Sequence, residues 1–586
     1  MSMAVTDDQV SVRGSTLEHL YRQLKELNQR AIGLKGTNFQ TRVRAYEEGM
    51  EDFHLREAAI REAIRTYSRQ RIRSLNILDL PDEILILIFE HVKGWWMHER
   101  KFDPYSTNHR DIMNVRLVCR RFCYSSSHLL IHFLTVSMEL SSLSRLSEIS
   151  RHPAIRRGVR GIRVLLHFYD SALADDFWRF VAFRKDDLKK TIGDIQAALR
   201  HGITTYTAWS VSEQNEFINQ MRAALDEKRR LLKSFEGLGA DMTAEPTDEQ
   251  SLRYRKVFER AHREYRRRLE EQDKLKNAGN FVQHVADTIA MMPAVRVLQI
   301  CDRRQRPQSP YDWSLAPGAN TESLYSVMIG PIEWAQARRH RLGPPPVDLI
   351  VKVIAALGEK DVLLTVIDIE VSPPDDYTML SVTDDDCRNL TAAARNLKHY
   401  SFSQPMFSRT NYQPRRPEEG RQLKRFTNAL LNTDTLRTIN VDFSCLRVKD
   451  APSPFNTGAI DTSRASQNLQ LMCFSNMSIH LKDLEQYGPS RESIWLDGLH
   501  LLSGTWAEAL DILRQKYNKL EGVGSHEVSL HDPTGAECSA LPADKYIEIF
   551  GEVMPQGGTK AENFIWGFAG SNPLRDWGLG INGWFI

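Results

Sequence analysis

The sequence predicts a multidomain α/β protein. A helical N-terminal region precedes a domain of alternating strands and helices, which long charged helices interrupt. Three observations predict this fold class: apolar residues recur at helical spacing before residue 75, one strand motif recurs throughout the second half, and residues 183–280 combine helical periodicity with dense charge. A chain of 586 residues is long enough for about three or four compact domains.

The composition is typical of a globular protein, with 41% apolar and 26% charged residues. The net charge of +2 argues against duplex nucleic acid as a partner. Seven widely spaced cysteines favour reduced thiols in the cytosol or nucleus. The N-terminus lacks the apolar core of a signal peptide, and no window reaches the ~20 apolar residues of a membrane span. We therefore expect a cytoplasmic or nuclear protein that contacts neither membrane nor nucleic acid.

Residues 1–74 are expected to form helices with a coiled-coil-like seam. Apolar side chains step by three and four along the chain, first from Leu17 to Leu34 and again from Val43 to Tyr67. Such stepping places them on one helix face, which either self-associates or packs as a hairpin against its own domain. The sequence leaves both possibilities open.

Residues 75–135 include the stretch LDLPDEILILIFEHV, which predicts a helix from about Leu80 to His91. Pro81 suits the first helical turn, and the acidic residues beside it match the positive end of the helix dipole. The six residues from Ile84 to Phe89 are all apolar, so apolar surface spreads beyond one face. The residues predicted to share the main face are Ile84, Leu85, Ile88 and Val92.

A second helix is predicted at about residues 111–124. Its apolar face comprises Ile112, Val115, Val118, Cys119 and Phe122. Two short helices cannot cover each other on every side, and exposed apolar surface costs ~25 cal/mol per Å² in water. The surface is therefore either a docking site for a partner or a face that the chain's own N-terminal hairpin covers.

Residues 150–182 contain the stretch VRGIRVLLHFY, which predicts a buried strand and the first copy of a repeat. Residues 183–280 then predict two or three inserted long helices, with apolar residues on single faces and charged residues elsewhere. The mixed charge of REYRRRLEEQDKLK is typical of a solvated helix face rather than a nucleic-acid site.

Residues 281–550 repeat a unit in which a helical segment precedes a strand of the form L-x-x-L-x-L. The central apolar positions are residues 298, 367, 400, 439, 472, 496 and 528. After a first gap of 69 residues they lie 24 to 39 residues apart, which is typical of a leucine-rich-repeat solenoid with parallel strands on a concave face. An ordinary α/β sheet domain is the alternative. Residues 551–586, rich in Trp, Phe and Gly, are expected to cap the open end.

Two of these segments together resemble the F-box motif. They are LPDEIL with the following Ile88-Phe89, and VRLVCRRF at residues 115–122. The usual form of the motif is L-P-x-E-[IL]-[LI], an apolar helix, and then L-x-x-V-C-[KR]-x-[FW]. The resemblance covers less than a tenth of the chain, and the layout is similar to that of F-box and leucine-rich-repeat proteins of filamentous fungi. It implies a three-helix F-box at residues 75–135.

The resemblance implies a substrate adaptor of a Skp–cullin–F-box ubiquitin ligase. The F-box would dock on the Skp adaptor, and through it on a cullin–RING ligase, while the repeat domain would hold an unidentified protein substrate. The residues that would face the adaptor are Leu80, Pro81, Ile84, Leu85, Ile88, Phe89, Val118 and Cys119. The loop at 93–111 is longer than the usual connection and could reach the adaptor or disturb docking. Its Trp95 and Trp96 could instead pack under the helix pair. A repeat-based scaffold outside a ligase is the alternative function.

No motif predicts catalysis, a metal site or a cofactor. The spacing of His526-Glu527 and His531 is one residue too long for two zinc ligands on one helix face, and the residues between them predict a strand. Cys119 and Cys123 have no second ligand pair at zinc spacing. The letters GLGING near the C-terminus match a dinucleotide fingerprint, but no helix follows to receive a phosphate. The sequence therefore predicts a protein that is not an enzyme.

Overall fold

The computed structural model describes residues 19–26, 55–66, 76–93, 109–201, 211–236, 249–277, 279–303, 321–404, 416–442, 468–486, 493–518, 527–555 and 557–575. The chain divides into two compact units. The first comprises residues 1–91 and 522–525, and the second comprises residues 92–521 and 526–586.

Helices account for most of the described part of the first unit. They are α1 (residues 19–26), α2 (residues 55–66) and α3 (Asp82–Val92), whose last residue already belongs to the second unit. On the surface of α2, the guanidinium of Arg61 lies 2.6 Å from the carboxylate of Glu57. Most of the predicted N-terminal seam lies outside the described residues, so the coiled coil stays a prediction.

The second unit contains twelve described strands. In chain order they are β1 (Phe133–Ser137), β2 (Gly161–Leu165), β3 (Val297–Cys301), β4 (Val366–Glu370), β5 (His399–Ser403), β6 (Thr438–Asp442), β7 (Leu471–Ser475), β8 (Ser478–His480), β9 (Ser493–Asp497), β10 (His500–Ser503), β11 (Glu527–His531) and β12 (Thr534–Gly535). Strands β8, β10 and β12 form a small parallel sheet, and the other nine form a large one.

The nine strands of the large sheet follow one another in chain order, and every neighbouring pair is parallel. Each strand predicted from the L-x-x-L-x-L motif is confirmed. Strand β1, one position ahead of the expected first copy, was not predicted. It pairs with β2 along its whole length, and its Leu134 and Val136 continue the buried pattern.

Side chains alternate cleanly across the large sheet. In β4, β5, β6, β7 and β9 the second and fourth residues are buried, while the others are partly or fully exposed. The row formed by the second residues is Leu134, Ile162, Leu298, Ile367, Tyr400, Ile439, Met472, Ile494 and Val528. These residues belong to one continuous core that also includes helix faces, so period-two patterning determines which face is covered.

Helices separate most of the strands. They are α4 (His109–Val118), α5 (Arg120–Ser126), α6 (Leu140–Arg151), α7 (Ser171–Asp175), α8 (Phe177–His201), α9 (Val211–Glu236), α10 (Glu249–Asn277), α11 (Asn280–Ala290), α12 (Thr321–Met328), α13 (Trp334–Arg339), α14 (Asp348–Glu359), α15 (Asp384–Ala394), α16 (Pro417–Leu431), α17 (Leu481–Gln486), α18 (Trp506–Asn518), α19 (Ala543–Phe550) and α20 (Lys560–Ile565). Helices α14, α15 and α16 pack side by side and precede β4, β5 and β6, as the predicted helix–strand unit requires.

The long helices α8, α9 and α10 follow β2 and are tied to the segment just after it. The Tyr265 hydroxyl of α10 accepts a hydrogen bond from the Asp170 backbone N–H at 2.9 Å. The Gln272 amide pairs with both backbone groups of Tyr169, at 2.8 and 3.1 Å. The buried guanidinium of Arg184 lies 5.5 Å from the ring centre of Tyr265. No helix in the described ranges combines the length and apolar character that a bilayer crossing needs.

Helix α20 occupies the exposed edge of β11. The Glu562 carboxylate accepts hydrogen bonds from the backbone N–H of Leu530 at 2.8 Å and of Thr559 at 2.7 Å. The Trp566 indole N–H donates to the Val528 carbonyl at 3.1 Å. Side chains of α20 and Trp566 thus hydrogen-bond the backbone groups that an open edge would offer to another strand. The predicted capping role of residues 551–586 stays a prediction.

Candidate functional site

Helix α3 begins where the sequence predicts. The Pro81 carbonyl accepts hydrogen bonds from the backbone N–H groups of Ile84 and Leu85, both at 3.1 Å. A short 3-10 turn precedes it, in which the Asn76 side chain accepts from Leu78 N–H and the Asp79 carboxylate accepts from Asn76 N–H, each at 3.0 Å. This capping box fixes the 3-10 turn Ile77–Asp79, which ends just before α3.

Helix α3 carries apolar side chains on two sides. Leu85 and Phe89, one turn apart, are buried, whereas Ile84 and Leu87 are exposed, Leu87 to 59%. Val92 is also exposed. The predicted face of Ile84, Leu85, Ile88 and Val92 is therefore only partly buried, because the boundary between buried and exposed residues runs through it. Successive residues turn by 100° in a helix, so a fully apolar run gives no signal of where that boundary falls.

The second predicted helix, at residues 111–124, is two helices. Cys119 separates α4 from α5 with extended backbone angles, φ −160° and ψ 167°. Its thiol sulfur accepts a hydrogen bond from the Phe122 N–H at 3.4 Å, and its carbonyl accepts from the Cys123 N–H at 2.9 Å. Cys119 therefore caps α5 rather than continuing α4, which changes the direction of the chain in the middle of the motif.

Helices α4 and α5 expose a series of large apolar side chains. Leu117 is 84% exposed, and Met113, Val118 and Tyr124 are exposed as well. Ile112 is buried, as is Phe122. Two short helices thus bury one apolar side and present another to solvent, a feature that usually marks an interaction surface.

The predicted adaptor-facing set divides into three groups. Pro81, Ile84 and Val118 are exposed, Leu80, Ile88 and Cys119 are partly buried, and Leu85 and Phe89 are buried. The adaptor-facing role of all eight residues stays a prediction. Sequence reasoning missed Leu87, Met113 and Tyr124, although Leu87 lies one turn from Ile84. The loop residues Trp95 and Trp96 lie outside the described part of the chain.

In the second unit, α5 is joined closely to the large sheet. A single 3-10 turn, Ser127–Leu129, lies between α5 and the start of β1. A Cβ atom at Gly158 would come within 1.5 Å of the His128 carbonyl oxygen, so only glycine permits this approach. The buried Lys93 ammonium donates to the Leu129 carbonyl, and burial lowers the pKa of Lys93 to about 8. The end of the motif and the first strand therefore form one tightly packed junction.

The described residues contain no group of three or more His, Cys, Asp or Glu side chains arranged to hold a metal ion. Residues 528–530 lie in β11, as the sequence predicted, and the ring of His531 contacts the Ser529 hydroxyl at 2.7 Å. His526 and the GLGING segment lie outside the described ranges. Cys119 and Cys123 are free thiols.

Comparison with known protein families identifies one domain. Residues 58–235 match the family model described as an F-box-like domain. The matched segment starts within α2, contains α3, α4 and α5, and ends within α9, so it extends beyond residues 75–135 on both sides. Domains of this kind are generally associated with binding to Skp-type adaptors. No curated protein and no solved structure matches the chain.

Proposed function

Because residues 58–235 carry an F-box-like domain, we propose that this protein is a substrate-recognition adaptor of a Skp–cullin–F-box ubiquitin ligase. Its three-helix F-box docks on the Skp adaptor, which connects it to a cullin–RING ligase. The large-sheet domain, as an irregular leucine-rich-repeat solenoid like those of fungal F-box proteins, holds a protein substrate. The protein itself catalyses no reaction and acts in the cytoplasm or nucleus.

The exposed apolar side chains of α4 and α5, which lie inside the matched domain, carry this proposal. Leu117, Val118 and Tyr124 leave apolar surface in water that a partner would cover, at ~25 cal/mol per Å² of apolar area. Leu117 and Val118 also belong to the VRLVCRRF segment that resembles the second half of the motif. Exposure and motif therefore point to the same residues.

The junction between α5 and the large sheet also supports an adaptor role. Ubiquitin transfer requires that a bound substrate be held in a defined position relative to the ligase. The close approach at Gly158 and the hydrogen bond from Lys93 leave little freedom between the α5 helix and β1. We infer that the chain uses this junction to transmit the position of the adaptor to the substrate-holding sheet.

A pull-down with the purified Skp adaptor of the same organism tests the proposal. Full-length wild type should retain the adaptor, whereas Leu117→Asp and the double variant Pro81→Ala/Ile84→Asp should not. Leu252→Asp is the matched control, because Leu252 is an exposed leucine on α10, outside the matched segment. If folded wild type retains no adaptor, the ligase role fails and a repeat-based scaffold outside a ligase becomes the better description.

A further inference from the structure

Opposite its core, the large sheet has a second face formed by the first, third and fifth residues of each strand, and the middle row of this face is mostly polar. In its first half, the middle row is linked internally. The Arg163 guanidinium donates to the Gln299 amide oxygen at 2.6 Å, and Gln299 donates to the Asp368 carboxylate at 3.1 Å. Further along, Asn440 donates to the Ser401 hydroxyl at 3.3 Å. These side chains satisfy one another across successive strands.

The same row changes character in the second half of the sheet. After Asn440 it continues with Cys473, Trp495 and Ser529. Trp495 is 49% exposed, although it lies in the interior of the sheet with a strand paired on each side. Its register neighbours are both small, so nothing on the adjacent strands at that position is large enough to cover an indole. Tryptophan is enriched among the residues that contribute most to binding at the centres of protein interfaces.

The charge of this face is strongly one-sided. From β4 to β9, the face positions of the large sheet include the carboxylates Asp368, Glu370, Asp442 and Asp497, and no lysine or arginine. Glu370 pairs with Arg303, which follows β3. Asp497 is exposed and lies two residues beyond Trp495 on β9, on the same face. Such a face attracts cationic partners and repels nucleic acid and anionic lipid surfaces.

We propose that this face, centred on Trp495 and Asp497, binds an extended, arginine- or lysine-bearing segment of a protein substrate. This inference rests on the proposed adaptor function, to which it adds the chemical class of the substrate. A cation placed over an indole gains cation–π attraction, and side chains two apart on a strand lie within ~7 Å, so Asp497 can pair with that same cation. The small neighbours of Trp495 leave room for an extended backbone to cross the strands.

Selection from a random eight-residue peptide library, followed by fluorescence anisotropy on the selected peptides, tests the proposal with the full-length protein. Wild type should enrich peptides that contain Arg or Lys. Trp495→Ala should weaken their binding at least tenfold, Trp495→Phe should retain part of it, and Asp497→Asn should weaken it several-fold and reduce its salt dependence. The matched controls are Trp178→Ala, an exposed tryptophan on α8, and Asp385→Asn, an exposed carboxylate on α15.

Enrichment of acidic or purely apolar peptides, no enrichment, or equal binding by wild type and Trp495→Ala would overturn the inference. The circular dichroism spectrum and melting temperature of Trp495→Ala should match those of wild type, which would show that a loss of binding does not come from unfolding. Adaptor pull-down in parallel separates the two proposals. If the adaptor binds and cationic peptides do not, only this inference fails; if cationic peptides bind and the adaptor does not, only the ligase role fails.

Discussion

The large sheet and the helices of the F-box motif differ in how their apolar residues are distributed between buried and exposed sides. In the sheet, apolar rows lie on the covered face, and the other face is mainly polar around the exposed Trp495. In α3, α4 and α5, apolar residues lie both inside and outside. Leu87 and Leu117 are exposed, so the part of the chain that the structure describes does not cover them. This difference supports the proposal that the helices, rather than the covered face of the sheet, dock on a partner.

Substitutions on the covered face of the large sheet should lower the unfolding free energy the most. Phe474 lies on the buried face of β7. Phe474→Ala should lower the unfolding free energy by about 3–5 kcal/mol, because it leaves a large cavity. Urea denaturation followed by circular dichroism measures this loss. Trp495→Ala on the opposite face should change stability by less than about 1 kcal/mol. Equal losses for the two would contradict the assignment of faces.

Substitutions on the buried and exposed sides of α3 should likewise differ in their effect on stability. Leu85→Ala should cost about 2–5 kcal/mol of stability, because Leu85 is fully buried. Leu87→Ala, two residues away and exposed, should change stability by less than about 0.5 kcal/mol and instead weaken Skp adaptor binding. Thermal denaturation and an adaptor-binding titration on both variants would show whether packing and docking divide between these neighbours.

Because of Lys93, the folding stability of the junction between α5 and β1 should depend on pH. Its pKa falls from 10.5 when unfolded to about 8 when folded because burial disfavours the charge. Between these values the unfolded chain binds more protons, so stability should rise with pH. Relative to Lys93→Met, wild type should gain about 2 kcal/mol from pH 8 to 10.5, measured by urea denaturation at several pH values. Parallel curves for the two proteins would contradict the burial of this ammonium.

A substitution at the β11 edge of the large sheet should lower stability by a smaller amount. Glu562→Ala removes the acceptor of two buried backbone N–H groups, which should cost about 1–2 kcal/mol. Amide hydrogen exchange at Leu530 should accelerate accordingly. Glu548→Ala, which removes only a surface carboxylate that pairs with Lys545 and Lys560, should leave that exchange rate unchanged.

Sequence alone was most informative for the large sheet. The motif L-x-x-L-x-L encodes the period-two alternation of a strand, so both the strands and their covered rows could be predicted. β1 was missed because it directly follows the helices of the F-box motif, although Ile131-x-x-Leu134-x-Val136 fits the repeat as well as Val295-x-x-Leu298-x-Ile300 does. The small sheet was missed because strands of two to four residues are too short to show a period.

The helices of the motif were harder to predict. A run in which every residue from Ile84 to Phe89 is apolar contains no periodic signal, so the inward and outward sides could not be told apart. The break at Cys119 was also invisible, because VRLVCRRF has good helical periodicity and the cap depends on one thiol and one backbone N–H. The F-box resemblance identified the region correctly, and the F-box-like match at residues 58–235 agrees with it, but the exposed residues required the structure.

Calorimetric titration of the purified full-length protein with the Skp adaptor tests whether the exposed apolar residues of the F-box-like domain form a docking surface. We expect saturable one-to-one binding by wild type and by Leu252→Asp. For Leu117→Asp we expect an affinity at least about 30-fold lower, since a charge replaces an apolar contact at the docking surface. Absence of binding by folded wild type, or equal affinity for wild type and Leu117→Asp, would contradict the proposed docking surface.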